Sequence, residues 1–306
     1  MAAITASVSV RSWLFAPGDS ERKMEKAAAG DADVVLFDLE DAVAEGEKPK
    51  ARAQTAAFLA AQPSHRSRLW VRINPLQGPY ALADLAAVVP GRPGGIMLPK
   101  ARGRADVECL DHYLSALEVA AGMKPGATRV IALVTETAES MFAAGTYAGA
   151  PRLAALTWGA EDLADAVGAA DNRNADGSYD FTYELARSFC LLGAAAADVA
   201  AVETIHGDFR DEAGLRRRAR EARRAGFRGM LAIHPAQVEV INEAFMPSAE
   251  ELEAAREVVG LFAANPGAGV VAHKGAMLDR PHLARAQAVL ERVAPRLRSE
   301  SAKKGS

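Results

Sequence analysis

Short apolar runs ending in turn or acidic residues alternate with segments whose apolar residues recur at helical spacing. Ser12–Gly18 reads as a first strand ended by Pro17-Gly18, with Asp19 and Ser20 able to cap a helix to about Gly30. Asp33–Asp41 is a second strand, acidic at its end, followed by a helix over about 48–61. Arg68–Asn74 is a third strand stopped by Pro75, and a short Ala/Leu helix at 80–88 leads to a fourth, Gly95–Lys100. Val107, Leu110, Leu114 and Leu117 predict a helix over 104–121. Strands five and six fall at 129–135 and 153–158, and a polar loop at 171–178 precedes a long helix at 180–197. Strand seven is 200–204, a helix carries Arg216–Arg224, and strand eight, Gly229–Pro235, runs into a helix at 236–244.

Eight strand–helix alternations predict an α/β fold, a (β/α)8 TIM barrel over residues 1–248. The pattern continues with an amphipathic helix at 249–263, an Asn265–Gly269 hinge, a short segment at 272–279 and a last helix opened by Pro281. Residues 249–306 are expected to form a C-terminal helical extension, or lid, packed on its own barrel or on a neighbour's.

Bulk properties add exclusions. A formal net charge of -3 favours neither nucleic acid nor an anionic membrane. No apolar run approaches the ~20 residues of a membrane span. Two cysteines, Cys109 and Cys190, and a start without a basic or long apolar region suggest a reducing, cytoplasmic setting.

Glu136 follows strand five and Asp162 follows strand six, and the mouths of consecutive parallel strands point at the same place. Two carboxylates there repel each other unless a cation sits between them. Asp38, Glu40, Asp41 and Glu161 stand at further strand ends. Each acid alone could simply favour the start of the next helix. Convergence of several favours a metal site, and oxygen ligands select Mg2+, or Mn2+, with water and substrate completing the shell. Arg72, in an otherwise apolar strand, reads as the ion-pair partner of a core acid such as Asp38 or Glu40, as a fork for a substrate carboxylate or enolate, or as both. Lys100 could serve phosphate or substrate, or face solvent. His234, at the end of strand eight, reads as a base, a ligand or a hydrogen-bonded structural group, the structural role first. Gly275–His282 reads either as a lid that delivers Asp279 or as a segment whose Asp279 caps the final helix.

Several motifs together resemble the HpcH/HpaI aldolase and citrate lyase beta-subunit superfamily. They are Arg11–Gly18, Asp38–Val43, Val71–Asn74, Leu98-Pro-Lys100, Glu136-Thr-Ala138, Trp158–Leu163, Phe209–Leu215, Ala232–Pro235 and Gly275–His282, in order over nearly the whole chain. The resemblance implies a TIM barrel with Glu136 and Asp162 as Mg2+ ligands and Arg72 as a substrate-binding residue. It implies Claisen- or aldol-type C–C cleavage or formation. Members with this tail look like stand-alone lyases of malyl-CoA or citramalyl-CoA. In these, the residue matching Asp279 enters a neighbouring subunit's site of a trimer or hexamer. The superfamily's non-CoA aldolases carry a histidine after the second strand; Glu40-Asp41-Ala42 stands here instead, which argues against that branch.

The expected reaction is reversible cleavage of a 3-hydroxyacyl-CoA to acetyl-CoA, or a homologue, and a 2-oxo acid. The expected catalytic residues are Arg72, Asp279, Glu40 and Asp41. Arg72, Glu136 and Lys100 bind substrate, Lys26 and Lys100 face CoA phosphates, and Glu136 and Asp162 hold the metal. The alternatives are a citrate lyase beta subunit acting on a carrier protein, a malyl-CoA thioesterase and a non-catalytic scaffold that binds metal and CoA.

Overall fold

The structure, a computed structural model, describes residues 10–291 and 293. Residues Val10–Asn242 form one compact unit and those from Glu243 onward belong to a second. Eight parallel strands close the first into a barrel in sequence order, β1 beside β8. They alternate with helices: β1 (Ser12–Pro17), α1 (Glu21–Ala29), β2 (Val34–Asp38), α2 (Lys48–Ala61), β3 (Leu69–Arg72), α3 (Ala81–Val88), β4 (Gly95–Leu98) and α4 (Arg104–Ala120). The second half is β5 (Arg129–Leu133), α5 (Ala138–Ala143), β6 (Leu153–Thr157), α6 (Glu161–Val167), α7 (Phe181–Ala196), β7 (Ala200–Glu203), α8 (Glu212–Ala225), β8 (Gly229–Ala232) and α9 (Ala236–Ala244).

The strands are apolar almost throughout because both faces are covered. One face of every strand feeds a single inner cluster: Trp13, Val34, Leu36, Trp70, Met97, Ile131, Leu133, Ala155, Val202 and Leu231. Spacing of two, as in Val34/Leu36 and Ile131/Leu133, is what an inward-facing strand side requires. Trp13 and Trp70 meet edge to face at 5.1 Å. The Trp70 ring crosses the neighbouring strand, and a Cβ on Gly95 would lie 2.4 Å from it. Only glycine fits beneath that indole.

Two crossovers differ from the helix-length segments the periodicity predicts. The β5–β6 connection holds only the short α5, closed by a capping box between Thr137 and Ser140. After β6, α6 begins at Glu161, so Glu161 and Asp162 occupy its first turn while Ala160 is the N-cap. They favour the helix dipole without capping it by a side-chain hydrogen bond.

The second unit contains α10 (Ala249–Ala264), strands β9 (Val270–His273) and β10 (Ala276–Asp279), and α11 (Arg280–Glu291). Ser248 and Glu251 form a capping box at α10. β9 and β10 are an antiparallel hairpin where the sequence pattern indicates only a short polar-ended segment. Its turn, Lys274-Gly275, has φ of 47° and 79°, the doubly left-handed pair that matches strand twist. Among the described residues no helix is long and apolar enough to cross a membrane.

Candidate active site at the strand C-termini

Each candidate acid or base of the barrel stands at, or just beyond, the C-terminal end of a strand. Arg72 closes β3, and its guanidinium forks onto Asp38, the last residue of β2, at 2.8 Å from Nε to Oδ1 and 2.7 Å from Nη2 to Oδ2. Its Nη1 lies 2.9 Å from Glu40 Oε2 and 3.1 Å from Asp41 Oδ2. Phe15 of β1 presents its ring 4.9 Å from the guanidinium carbon. The two readings of Arg72 therefore coexist: it is the partner of a core acid, and its outer edge reaches the acids of the β2 loop.

Lys100 follows β4 with a left-handed backbone, φ 50°. Its N–H donates to Glu136 Oε2 at 2.6 Å. Its ammonium lies 2.9 Å from Glu40 Oε1 and 2.7 Å from Asp162 Oδ1. Glu40, Glu136 and Asp162, from three separate loops, thus meet around one lysine. Lys100 does not simply face solvent.

The electrostatics follow from burial. Glu136 is 3 % exposed, and loss of hydration, with Asp162 and Glu40 nearby, pushes its carboxyl up to about 8. Burial pushes Glu40 up to about 7, with Asp41 adding to the rise while Arg72 and Lys100 oppose it. At Asp38 burial also acts to raise the carboxyl, but the Arg72 fork and two backbone N–H groups hold it below the usual range. Lys100 is held above the usual lysine range: burial opposes its charge, and Asp162 and Glu40 more than offset it.

Asp38, Glu40, Asp41, Glu136 and Asp162 supply five carboxyl groups against the two cations Arg72 and Lys100. No group of three or more His, Cys, Asp or Glu is arranged to hold a metal among the described residues. A divalent ion fits this chemistry through the pair Glu136 and Asp162. Their oxygens are hard donors, the local charge is in deficit by more than one unit, and Gly159 leaves the flank of Glu136 open. A Cβ there would stand 3.5 Å from Glu136 Oε1.

Lys48 escapes attention in the sequence because it opens a helix like any surface lysine. Its ammonium donates to the carbonyls of Leu39 and Glu40 at 3.1 and 3.0 Å and to Asn74 Oδ1 at 2.7 Å, pinning the loop that carries Glu40. Asn74 is anchored in turn on the fully buried Asp84. Glu203, fully buried at the end of β7, accepts from Trp158 Nε1 at 2.7 Å and so fixes the β6 end that leads to Asp162. Its position at a strand end is the one signal the sequence carries.

Lys26 is exposed in the last turn of α1, so the structure does not bring it to these acids. The ring of His234 stacks on Phe209 at 4.5 Å, and its Nδ1 accepts from the Ala236 N–H. A cavity of about 350 Å3 is lined by Glu184 and Arg187 of α7 and by Arg218, Glu221 and Arg224 of α8. Its Arg187, Arg218 and Arg224 are balanced by Glu184, Glu221 and Glu203. In the second unit Asp279 caps α11: Oδ1 accepts from the His282 N–H at 3.3 Å, His282 Nδ1 accepts from the Asp279 N–H, and the two side chains touch.

The model of the HpcH/HpaI aldolase/citrate lyase family matches residues 11–235, the whole barrel from β1 to the end of β8. The chain belongs to this family. A (3S)-malyl-CoA thioesterase of Cereibacter sphaeroides is 34% identical over 92% of this chain and 94% of its own length. The mitochondrial citramalyl-CoA lyase of Rattus norvegicus is 32% identical over 92% of this chain and 85% of its own. Among solved structures, the CitE protein of Mycobacterium tuberculosis in complex with magnesium, acetoacetate and coenzyme A superposes with a TM-score of 0.78 at 36% identity, covering 93% of this chain and 98% of that one. The match therefore covers Asp38, Glu40, Asp41, Glu136 and Asp162, and it stops short of Asp279.

Proposed function

We propose that this member of the HpcH/HpaI family is a Mg2+-dependent carbon–carbon lyase. It cleaves, or in reverse forms, a 3-hydroxyacyl-CoA such as malyl-CoA or citramalyl-CoA, with acetyl-CoA and a 2-oxo acid as the other side of the equilibrium. The observation that carries this reading is the meeting of Glu136, Asp162 and Glu40 around Lys100, beside the Arg72 fork.

Glu136 and Asp162 hold the ion, which when bound supplies Lewis-acid polarisation of the oxo acid's oxygens. Arg72 offsets negative charge on the substrate carboxylate or enolate oxygen and is itself oriented by Asp38. Glu40 and Asp41 hold the outer edge of that guanidinium. Lys100 adds a positive charge to the substrate-binding surface. Asp279, supplied by a neighbouring subunit of a homotrimer or hexamer, exchanges the proton on the acyl carbon. Lys26 and Lys100 remain the candidates for CoA phosphates, of which Lys100 belongs to the acid cluster.

Glu136→Gln or Asp162→Asn is expected to abolish Mg2+ binding in calorimetry. Each should reduce Mg2+-dependent turnover in a coupled CoA-thioester assay by orders of magnitude. Turnover at the wild-type rate in either variant overturns the metal assignment. The Cereibacter relative favours a second reading, hydrolysis of malyl-CoA at the same site. Product analysis separates the two: free CoA with intact malate marks a thioesterase, and acetyl-CoA with an oxo acid marks a lyase.

A further inference from the structure

Among the described residues, Lys100 is a point of contact for three acids at once. The peptide N–H reaches Glu136 Oε2 at 2.6 Å, and the ammonium reaches Glu40 Oε1 at 2.9 Å and Asp162 Oδ1 at 2.7 Å. Its backbone is left-handed, φ 50°, a conformation that non-glycine residues adopt at some cost and that the surroundings must enforce. One residue thereby serves two of its neighbours by side-chain charge and the third by a backbone N–H that every substitution but proline retains.

An ammonium and a divalent ion compete for the same carboxylate. A dication on Asp162 both engages the oxygens that Lys100 contacts and repels the ammonium itself. Glu40 keeps Lys100 within the barrel mouth when Asp162 is withdrawn, because its carboxylate holds the same nitrogen through a different oxygen. The donor so released is free to pair with a carboxylate brought in by the substrate.

We infer that Lys100 is an exchangeable counter-ion: its ammonium pairs with Asp162 until a divalent cation takes that carboxylate, and then turns to the carboxylate of the 2-oxo acid. Metal occupancy and substrate affinity are coupled through this one side chain. The inference rests on the metal assignment of the proposed function and adds to it the substrate group that Lys100 takes and an order of binding, metal before oxo acid.

Lys100→Met separates the charge from the backbone contact, since the N–H to Glu136 survives. Isothermal titration with Mg2+ alone is expected to show about twofold to fivefold tighter binding than wild type, the scale of one partly exposed ion pair. Titration with pyruvate at saturating Mg2+ is expected to show weaker binding by a similar factor or more. Opposite signs are the signature, because a merely structural lysine moves both affinities the same way. Lys100→Arg, which keeps the charge, is expected to leave Mg2+ affinity close to wild type. Thermal melts check that both variants fold. Mg2+ binding that is unchanged or weaker in Lys100→Met, with wild type binding Mg2+, overturns this inference alone. A wild-type protein that binds no Mg2+ removes it together with the metal assignment.

Discussion

Arg72 carries a planar guanidinium between Asp38 on one edge and Glu40 and Asp41 on the other, with side-chain exposure of 11% against 2% for Asp38. Removing one partner of a buried pair leaves the other charge uncompensated, which costs about 3–5 kcal/mol. Asp38→Asn and Arg72→Met are therefore expected to lower unfolding free energy by that order in urea denaturation. Arg72→Lys should retain part of the stability yet lose the bidentate fork, with turnover falling more than stability. Equal losses in the two measurements would make Arg72 a structural ion pair only. Glu136 bears the opposite sign. Its carboxyl is pushed up to about 8, so the folded state holds a proton that the unfolded chain releases. That contribution is fully present below the ordinary carboxylate value of 4.5 and is lost as pH rises through about 8. Stability in chelator is thus expected to fall from about pH 5 to 8, by up to about 1.4 kcal/mol per pH unit. Saturating Mg2+ should flatten the decline, and denaturation at three pH values with and without the ion checks both.

The β9–β10 hairpin ends on Asp279, and α11 begins one residue later. The carboxylate caps that helix through the His282 N–H and contacts the imidazole as well. The contact holds Asp279 below the usual carboxylate value, the His282 hydrogen bond being the largest cause. Capping and proton exchange are separable by substitution. Asp279→Asn keeps a capping acceptor and removes the acid–base function. It should leave the melting temperature within a degree or two of wild type while cutting turnover by orders of magnitude. Asp279→Ala removes the cap too and should lower the melting temperature further than Asp279→Asn. Normal turnover in Asp279→Asn would leave the residue a helix cap and nothing more.

Assembly bears on the same aspartate. The family's barrel is complete within one chain from residue 11 to 235, and Asp279 belongs to the second unit. If it serves a neighbour's barrel, inactive Glu136→Gln and Asp279→Asn subunits should regain part of the wild-type turnover when mixed and reassembled. Light scattering should give a trimer or hexamer. Mixed subunits that stay inactive, or a monomeric protein of full activity, would sink the shared site.

Local pattern in the sequence is enough to predict the barrel, because strand and helix periods are read within windows of ten to eighteen residues and the acids fall where each apolar run stops. Glu136, Asp162, Arg72 and the acidic β2 loop are legible as candidates for that reason. The pairing of Arg72 with Asp38 or Glu40 is legible too, because a buried arginine needs a partner and the second and third strands are neighbours. The pairing of Lys100 is not: it meets Glu40 across 60 positions, and no periodicity reports that contact. Lys48 and Glu203 likewise look ordinary until folding places them under Glu40 and Trp158. The chain's own order of residues determines that acids tip the strands of a closed barrel. Which lysine stands among them, and which acids lose enough water to hold their protons, depends on packing, because charge and hydration act through space rather than along the chain.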